Sequence, residues 1–167
     1  MATAITLPEI DATEWLNTEQ PLTLAGLRGR VVAIEAFQML CPGCVEHGLP
    51  QAQRIAHTFR QDDVAVIGLH CVFEHHDAMP PLALRAFMHE YRICFPVAVD
   101  TPGTGMLPQT MQAWALEGTP TLLLVDRQGR LRARHFGKIS DMAVGAEIMA
   151  LVTESDAGEQ AQQPPQA

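Results

Sequence analysis

Apolar residues fall along the chain in two patterns: short continuous runs, and longer stretches at three- and four-residue spacing. Val31-Val32-Ala33-Ile34-Glu35-Ala36-Phe37 is apolar on both faces apart from Glu35, as in a central strand of a sheet covered on both sides. Val45, Leu49, Ala52, Ile55, Ala56 and Phe59 then recur at near-helical spacing. They predict a long helix over 41–60, interrupted at Gly48 and kinked near Pro50. A second apolar strand is expected over 64–69. Pro80-Pro81 opens a helix to about Tyr91, with Leu84, Phe87, Met88 and Tyr91 on its inner face. A third strand is expected over 95–100 and a short helix over 106–116. A further strand over 121–126 turns at Arg127-Gln128-Gly129 into a hairpin partner over 131–136. Ser140-Asp141 caps a last helix to about Val152. Residues 1–20 show little periodicity and read as a lead-in with Trp15 packed on the body. Leu22-Thr23-Leu24 is a candidate short strand. Residues 1–153 are expected to form one domain, with 154–167 a polar, disordered tail.

Between the first strand and the first helix stands Cys41-Pro42-Gly43-Cys44. Three residues is about one helical turn, so the two sulfurs share a face and can close a small disulfide ring. Cys41 falls at a helix N-terminus, where unpaired N–H groups and the macrodipole favour a thiolate, while Cys44 lies one turn inside. The redox assignment makes Cys41 the attacking thiol and Cys44 the resolving thiol. The competing readings are half a metal site or two buried structural cysteines; no second Cys-x-x-Cys completes a zinc site.

Several other groups are candidates. Glu35 is a lone carboxyl in an apolar strand six residues before Cys41, a position where burial raises the pKa. It is either a proton acceptor for the resolving thiol, an acid tied to a nearby Arg, or one reaching solvent at a sheet edge. His47 is either an influence on the thiols or a helix-surface residue. His70-Cys71-Val72-Phe73-Glu74-His75-His76-Asp77 concentrates polar groups after the second strand. It is a thiol-tuning or partner-contacting loop, a metal site, or a plain loop. Cys71 and Cys94 fall at opposite ends of neighbouring strands, roughly 15 Å or more apart at ~3.3 Å per residue, beyond disulfide reach. Cys94 reads as structural; Cys71 reads as structural by default, with redox involvement as its alternative.

Composition narrows the classes. With 167 residues the chain can bury a sizeable core, and four cysteines are not a disulfide framework at that size. A net charge of −8 argues against general nucleic-acid binding and against a basic membrane surface. The first residues carry neither a basic region nor a long apolar run, so a cytoplasmic setting is expected, with no membrane partner and no cofactor.

The chain over about 20–152 resembles the thioredoxin superfamily, most closely its TlpA/ResA-like branch of thiol-disulfide oxidoreductases. The resemblance rests on Gly29-Arg30-Val31-Val32 leading to Cys41-Pro42-Gly43-Cys44, on Phe95-Pro96-Val97 with Asp100, and on Gly118-Thr119-Pro120-Thr121 with Asp126-Arg127-Gln128-Gly129. It implies an α/β thioredoxin-like fold, a central mixed sheet with helices on both faces. It implies a cis Pro120 facing the cysteines, with Thr119 offering backbone bonds to substrate beside Pro42 and Gly43. Glu35 matches the family's buried acid. The implied partners are protein or small-molecule disulfides and thiols, with a reducing partner such as a thioredoxin or glutathione system. Leu40 replaces the usual aromatic residue before the first cysteine, Pro42-Gly43 reverses thioredoxin's Gly-Pro, and His47 stands where some members carry an acid. Two alternatives remain. One is a peroxidase of peroxiredoxin type, whose Pro-x-x-x-Thr-x-x-Cys pattern fails at Ile34 and Gln38 before Cys41, and at Phe37 and Cys41 before Cys44. The other is a metal-binding module using Cys41, Cys44 and a histidine.

Overall fold

A computed structural model describes residues 5–154. Its strands are β1 (Ala12–Leu16), β2 (Val31–Phe37), β3 (Val64–His70), β4 (Val97–Asp100), β5 (Thr121–Val125) and β6 (Leu131–Phe136). Its α-helices are α1 (Leu49–Thr58), α2 (Pro81–Glu90), α3 (Gln109–Ala113) and α4 (Asp141–Thr153). The strands form one six-stranded sheet in the order β1-β4-β3-β2-β5-β6. β2, β3 and β4 run parallel; β1, β5 and β6 pair antiparallel to their neighbours, so the sheet is mixed.

Alternation along the strands sends side chains to two separate cores. Val31, Ala33 and Phe37 of β2 pack with Leu49 and Ile55 of α1, Leu84 of α2 and Ile148 of α4. Val32, Ile34 and Ala36 face the other way, onto Met111 and Trp114 and onto Leu7, Leu24 and Leu27 from the N-terminal segment. That second face is closed by short pieces held with polar bonds. The Trp114 indole N–H donates to the Pro8 carbonyl at 2.9 Å. The Glu9 carboxylate accepts the Leu24 and Ala25 N–H groups at 2.6 and 2.8 Å. Asp100 accepts the Thr110 and Met111 N–H groups and so caps α3.

Several expectations need correction. The lead-in contains a strand, β1, paired with β4 at the sheet edge; its burial is too irregular to give an alternating pattern. Leu22-Thr23-Leu24 is not a strand: the Glu9 bonds divert it into a short 3-10 turn, Ala25–Leu27. The helix expected over 41–60 is divided into a π-helical turn, Cys44–Gly48, followed by α1. Pro50 sits in the first turn of α1, where its missing N–H is tolerated, so the break falls just ahead of it. Tyr91 lies beyond the end of α2, half exposed, its ring 4.4 Å from that of Phe87. Ser140 caps α4 as expected, its hydroxyl accepting the Ala143 N–H at 3.2 Å. Glu154 is not free tail: it ends α4 and pairs with Arg132 through two bonds of 2.6 and 2.8 Å. The rest of the expected tail lies outside the described residues. Among the described residues no helix is long and apolar enough to cross a membrane.

The β5–β6 turn is organised on Asp126, which is 1% exposed. Its carboxylate accepts the Gln128 and Arg130 N–H groups and the Arg130 and Arg132 guanidinium groups. Burial alone would raise its pKa, but these hydrogen bonds win and hold it below the usual value. Asp126→Ala should lower unfolding stability by about 3 kcal/mol, because the turn's Gln128 and Arg130 N–H groups lose their acceptor and Arg130 and Arg132 lose their shared buried carboxylate, Arg132 keeping only Glu154. The urea unfolding midpoint measures this.

Candidate active site

The sheet brings three segments to one edge. β2 and β3 are parallel, with Phe37 opposite His70, so both end there. β5 runs antiparallel to β2 with Thr121 opposite Ala36, so the residues that precede β5 arrive at the same edge. The turn after β2 carries Cys41 and Cys44; the segment before β5 carries Thr119 and Pro120.

Both thiols are free, Cys41 half-buried and Cys44 fully buried. The Cys41 carbonyl accepts the Val45 N–H at 3.1 Å, which puts Cys41 at the N-cap position. Its Sγ accepts the Cys44 N–H at 3.3 Å and donates to the Thr119 carbonyl at 3.6 Å. Burial pushes the Cys44 thiol well above its ordinary pKa, and the hydrogen bond to Cys41 adds to this. The two sulfurs therefore differ in kind. One is reachable and receives a helix N–H; the other is shielded and protonated.

The Thr119–Pro120 peptide is cis. The Pro120 ring packs on the cysteine turn at two glycines. A Cβ on Gly43 would stand 3.2 Å from Pro120 Cδ. One on Gly48 would come within 2.9 Å of Pro120 Cβ and would overlap Glu35 Oε1. The Glu35 carboxyl thus lies beneath the turn, against the Gly48 backbone and the proline. Glu35 is 1% exposed, and its Oε1 has no hydrogen-bond partner among the described residues. Neither an Arg nor the solvent edge holds it. Burial raises its pKa to about 8.

Two residues of the site were not legible as such. Gly48 reads in sequence only as a helix interruption; a glycine inside a helical pattern is nonetheless the signal for close backbone approach. Gln38 gave no signal. It is 3% exposed, and its Oε1 accepts the Phe73 and Glu74 N–H groups at 3.2 and 3.3 Å. It latches the segment after β3 to the cysteine turn.

The polar stretch over 70–77 is divided by the structure. His70 is not a loop residue but the end of β3, 1% exposed, with its ring 5.1 Å from that of Phe37. Its Nε2 accepts the Met39 N–H at 3.4 Å, and burial lowers its pKa to about 4. His75 and His76 are exposed. No group of three His, Cys, Asp or Glu side chains among the described residues converges as a metal site requires. His47 is half-buried in the π-helical turn. Cys71 is buried beside Asp100, and burial raises its thiol pKa. Cys94, expected as structural, is instead exposed, because it precedes β4 at the far end of the sheet; its thiol donates to the Arg92 carbonyl at 3.4 Å.

The sheet, the cis-Pro segment and the paired thiols at one edge define a thioredoxin-like protein. More narrowly, the chain belongs to the AhpC/TSA family, whose sequence profile matches residues 2–134. A solved thioredoxin-like superfamily protein is 57% identical, with a TM-score of 0.89, covering 91% of this chain and 99% of its own. A thiol-disulfide isomerase from Corynebacterium glutamicum is 49% identical, with a TM-score of 0.88, covering 93% of this chain and 100% of its own. The thiol:disulfide interchange protein DsbE of Allochromatium vinosum is 27% identical over 90% of this chain and 76% of its own length. The NHL repeat-containing protein 2 of Bos taurus is 28% identical over 75% of this chain, which spans only 17% of that protein. The resemblance to the thioredoxin superfamily and the α/β fold read from the sequence are borne out.

The state of Glu35 predicts a pH dependence of stability. Its folded pKa of about 8 lies above the ordinary 4.5, so the folded form holds a proton that the unfolded form releases. The stability this contributes is full below pH 4.5 and is lost as pH rises through about 8. Glu35→Gln should flatten that loss and unfold at higher urea than the parent at pH 8.5. Denaturation curves across pH 5–9 test it; an unchanged slope would show that Glu35 does not titrate on unfolding.

Proposed function

We propose that this chain is a thiol-disulfide oxidoreductase in which Cys41 is the nucleophile and Cys44 the resolving thiol. The observation that carries the reading is the asymmetry of the pair: an accessible Cys41 Sγ taking the Cys44 N–H, beside a buried Cys44 with a raised pKa. The names borne by the Corynebacterium and Allochromatium relatives support it.

In the forward direction Cys41 thiolate attacks one sulfur of a substrate disulfide. The substrate S–S bond breaks, a first substrate thiolate leaves and takes a proton, and a mixed disulfide forms at Cys41. Cys44 then gives up its proton, attacks Cys41 Sγ, and the second substrate thiolate leaves. The protein ends as a Cys41–Cys44 disulfide and the substrate as two thiols, a transfer of two electrons. Glu35, in its ionised form, is the proposed acceptor of the Cys44 proton, and it returns that proton to the second substrate thiolate as it leaves. A carboxyl with a pKa of about 8 exchanges protons near neutral pH, where an ordinary glutamate stays charged. Thr119, Pro120, Pro42 and Gly43 would flank the bound disulfide. A reducing partner of thioredoxin or glutathione type and a cytoplasmic setting belong to the same proposal.

Cys41→Ser should abolish disulfide reduction, and Cys44→Ser should accumulate a mixed disulfide at Cys41, read by alkylation and mass spectrometry. Turnover by Cys41→Ser, or catalysed loss of hydrogen peroxide with a thiol donor in place of disulfide exchange, would overturn the reading. The potential of the pair decides direction. A value near about −270 mV fits a reductase, and one of about −120 to −180 mV an oxidase or isomerase.

A further inference from the structure

A cleft of about 420 Å³ opens beside Cys41. Leu40, Phe73, Met79 and Phe136 line it. Leu40 and Phe136 are 53% and 58% exposed, large apolar surfaces left open among the described residues. Glu74 also lines the cleft, held by the bond from its N–H to the buried Gln38. His75 lines it as well; no lysine or arginine does, in a chain of net charge −8. A disulfide that reaches Cys41 must lie in this space. Glutathione disulfide brings carboxylates toward Glu74 and no apolar side chain for Leu40 and Phe136. A polypeptide with a leucine or phenylalanine next to its cysteine, and a lysine or arginine nearby, meets both features.

Resting on the thiol-disulfide reading, we propose that this cleft makes the protein selective for polypeptide disulfides with apolar and cationic neighbours, and that Glu74 discriminates against anionic small disulfides. The electron balance is that of the exchange above: the Cys41 and Cys44 thiols are oxidised to a disulfide and the peptide disulfide is reduced to two thiols. Of the two reducing systems named above, a protein partner fits this cleft better than glutathione.

The test is single-turnover reduction by the pre-reduced protein, acid-quenched, alkylated and read by mass spectrometry. Four disulfides are compared: a peptide dimer with Leu and Lys flanking the cysteine, the same peptide with Glu for Lys, glutathione disulfide, and neutral hydroxyethyl disulfide. Each rate is divided by that variant's own rate on hydroxyethyl disulfide. The expected order is Lys peptide, then Glu peptide, then glutathione disulfide. Glu74→Gln should reduce the Lys-over-Glu preference by about 1.4- to 5-fold, the range of a single exposed charge pair. Glu74→Lys should reverse it. Equal normalised rates, or a preference that survives Glu74→Gln, overturn the inference and leave the thiol-disulfide reading standing. Failure to reduce any of the four, hydroxyethyl disulfide included, overturns both.

Discussion

Burial of the Glu35 carboxyl is the constraint around which the thiol edge is built. A polar oxygen without a partner in a sheet interior costs about 1–3 kcal/mol, more if charged. The strand accepts that cost at its centre, between Ile34 and Ala36, with Gly68 opposite on one side and Leu122 on the other. Two consequences follow from the same atoms. The carboxyl needs room beneath the cysteine turn, which only a glycine at position 48 leaves. Pro120 must also pass close over that glycine, which joins the start of β5 to the turn after β2. Carboxyl, glycine and proline therefore form one unit. A side chain at Gly48 would disturb all three, and through them the placement of the thiols.

A second connection reaches the edge from the other side. Gln38 accepts two N–H groups from Phe73 and Glu74, His70 accepts the Met39 N–H, and the Phe37 carbonyl accepts the Cys71 N–H at 2.9 Å. These bonds tie the segment after β3 to the segment after β2. The parallel pairing of the two strands sets their ends side by side, and the side chains fix them there. The proposed chemistry and the proposed selection thus fall on different pieces of chain. The thiols and Glu35 belong to the β2 turn and its underside, while the cleft wall is borrowed from the β3 exit.

Much of this was legible in the sequence, for identifiable reasons. Cys41 and Cys44 are readable because their spacing is itself the geometry: three residues is one turn. Glu35 is readable because a carboxyl stands out in an apolar strand. Thr119-Pro120 is readable only through resemblance, since nothing local in those residues says that β5 will lie antiparallel to β2. Gln38 and His70 were not readable. A glutamine that serves two backbone N–H groups thirty-five and thirty-six residues away leaves no local periodicity. A histidine at the end of an apolar run looks like the first residue of a loop. β1 was missed for a related reason: as an edge strand it has one neighbour and a mixed burial pattern. The division of the first helix at Gly48 was visible as an interruption, but the need for a glycine there comes from Glu35 and Pro120, far away in sequence.

Glu35 and His70 show how burial alone shapes the electrostatics of this edge. The same desolvation raises one pKa to about 8 and lowers the other to about 4, because each shift favours the neutral form. Between those values the interior beneath the cysteines carries no charge from either group. The neutral His70 keeps an acceptor lone pair for the Met39 N–H across that whole range; protonated, it would present a second donor to a donor. Glu35 behaves differently, since its titration falls near working pH. A proton passing to or from it changes the charge of the buried region, in a medium where charge is felt more strongly than in water. On the role proposed for Glu35, oxidation and reduction of the pair would be coupled to the ionisation of that one residue, and pH would act on the exchange through the same carboxyl that shapes the turn above it.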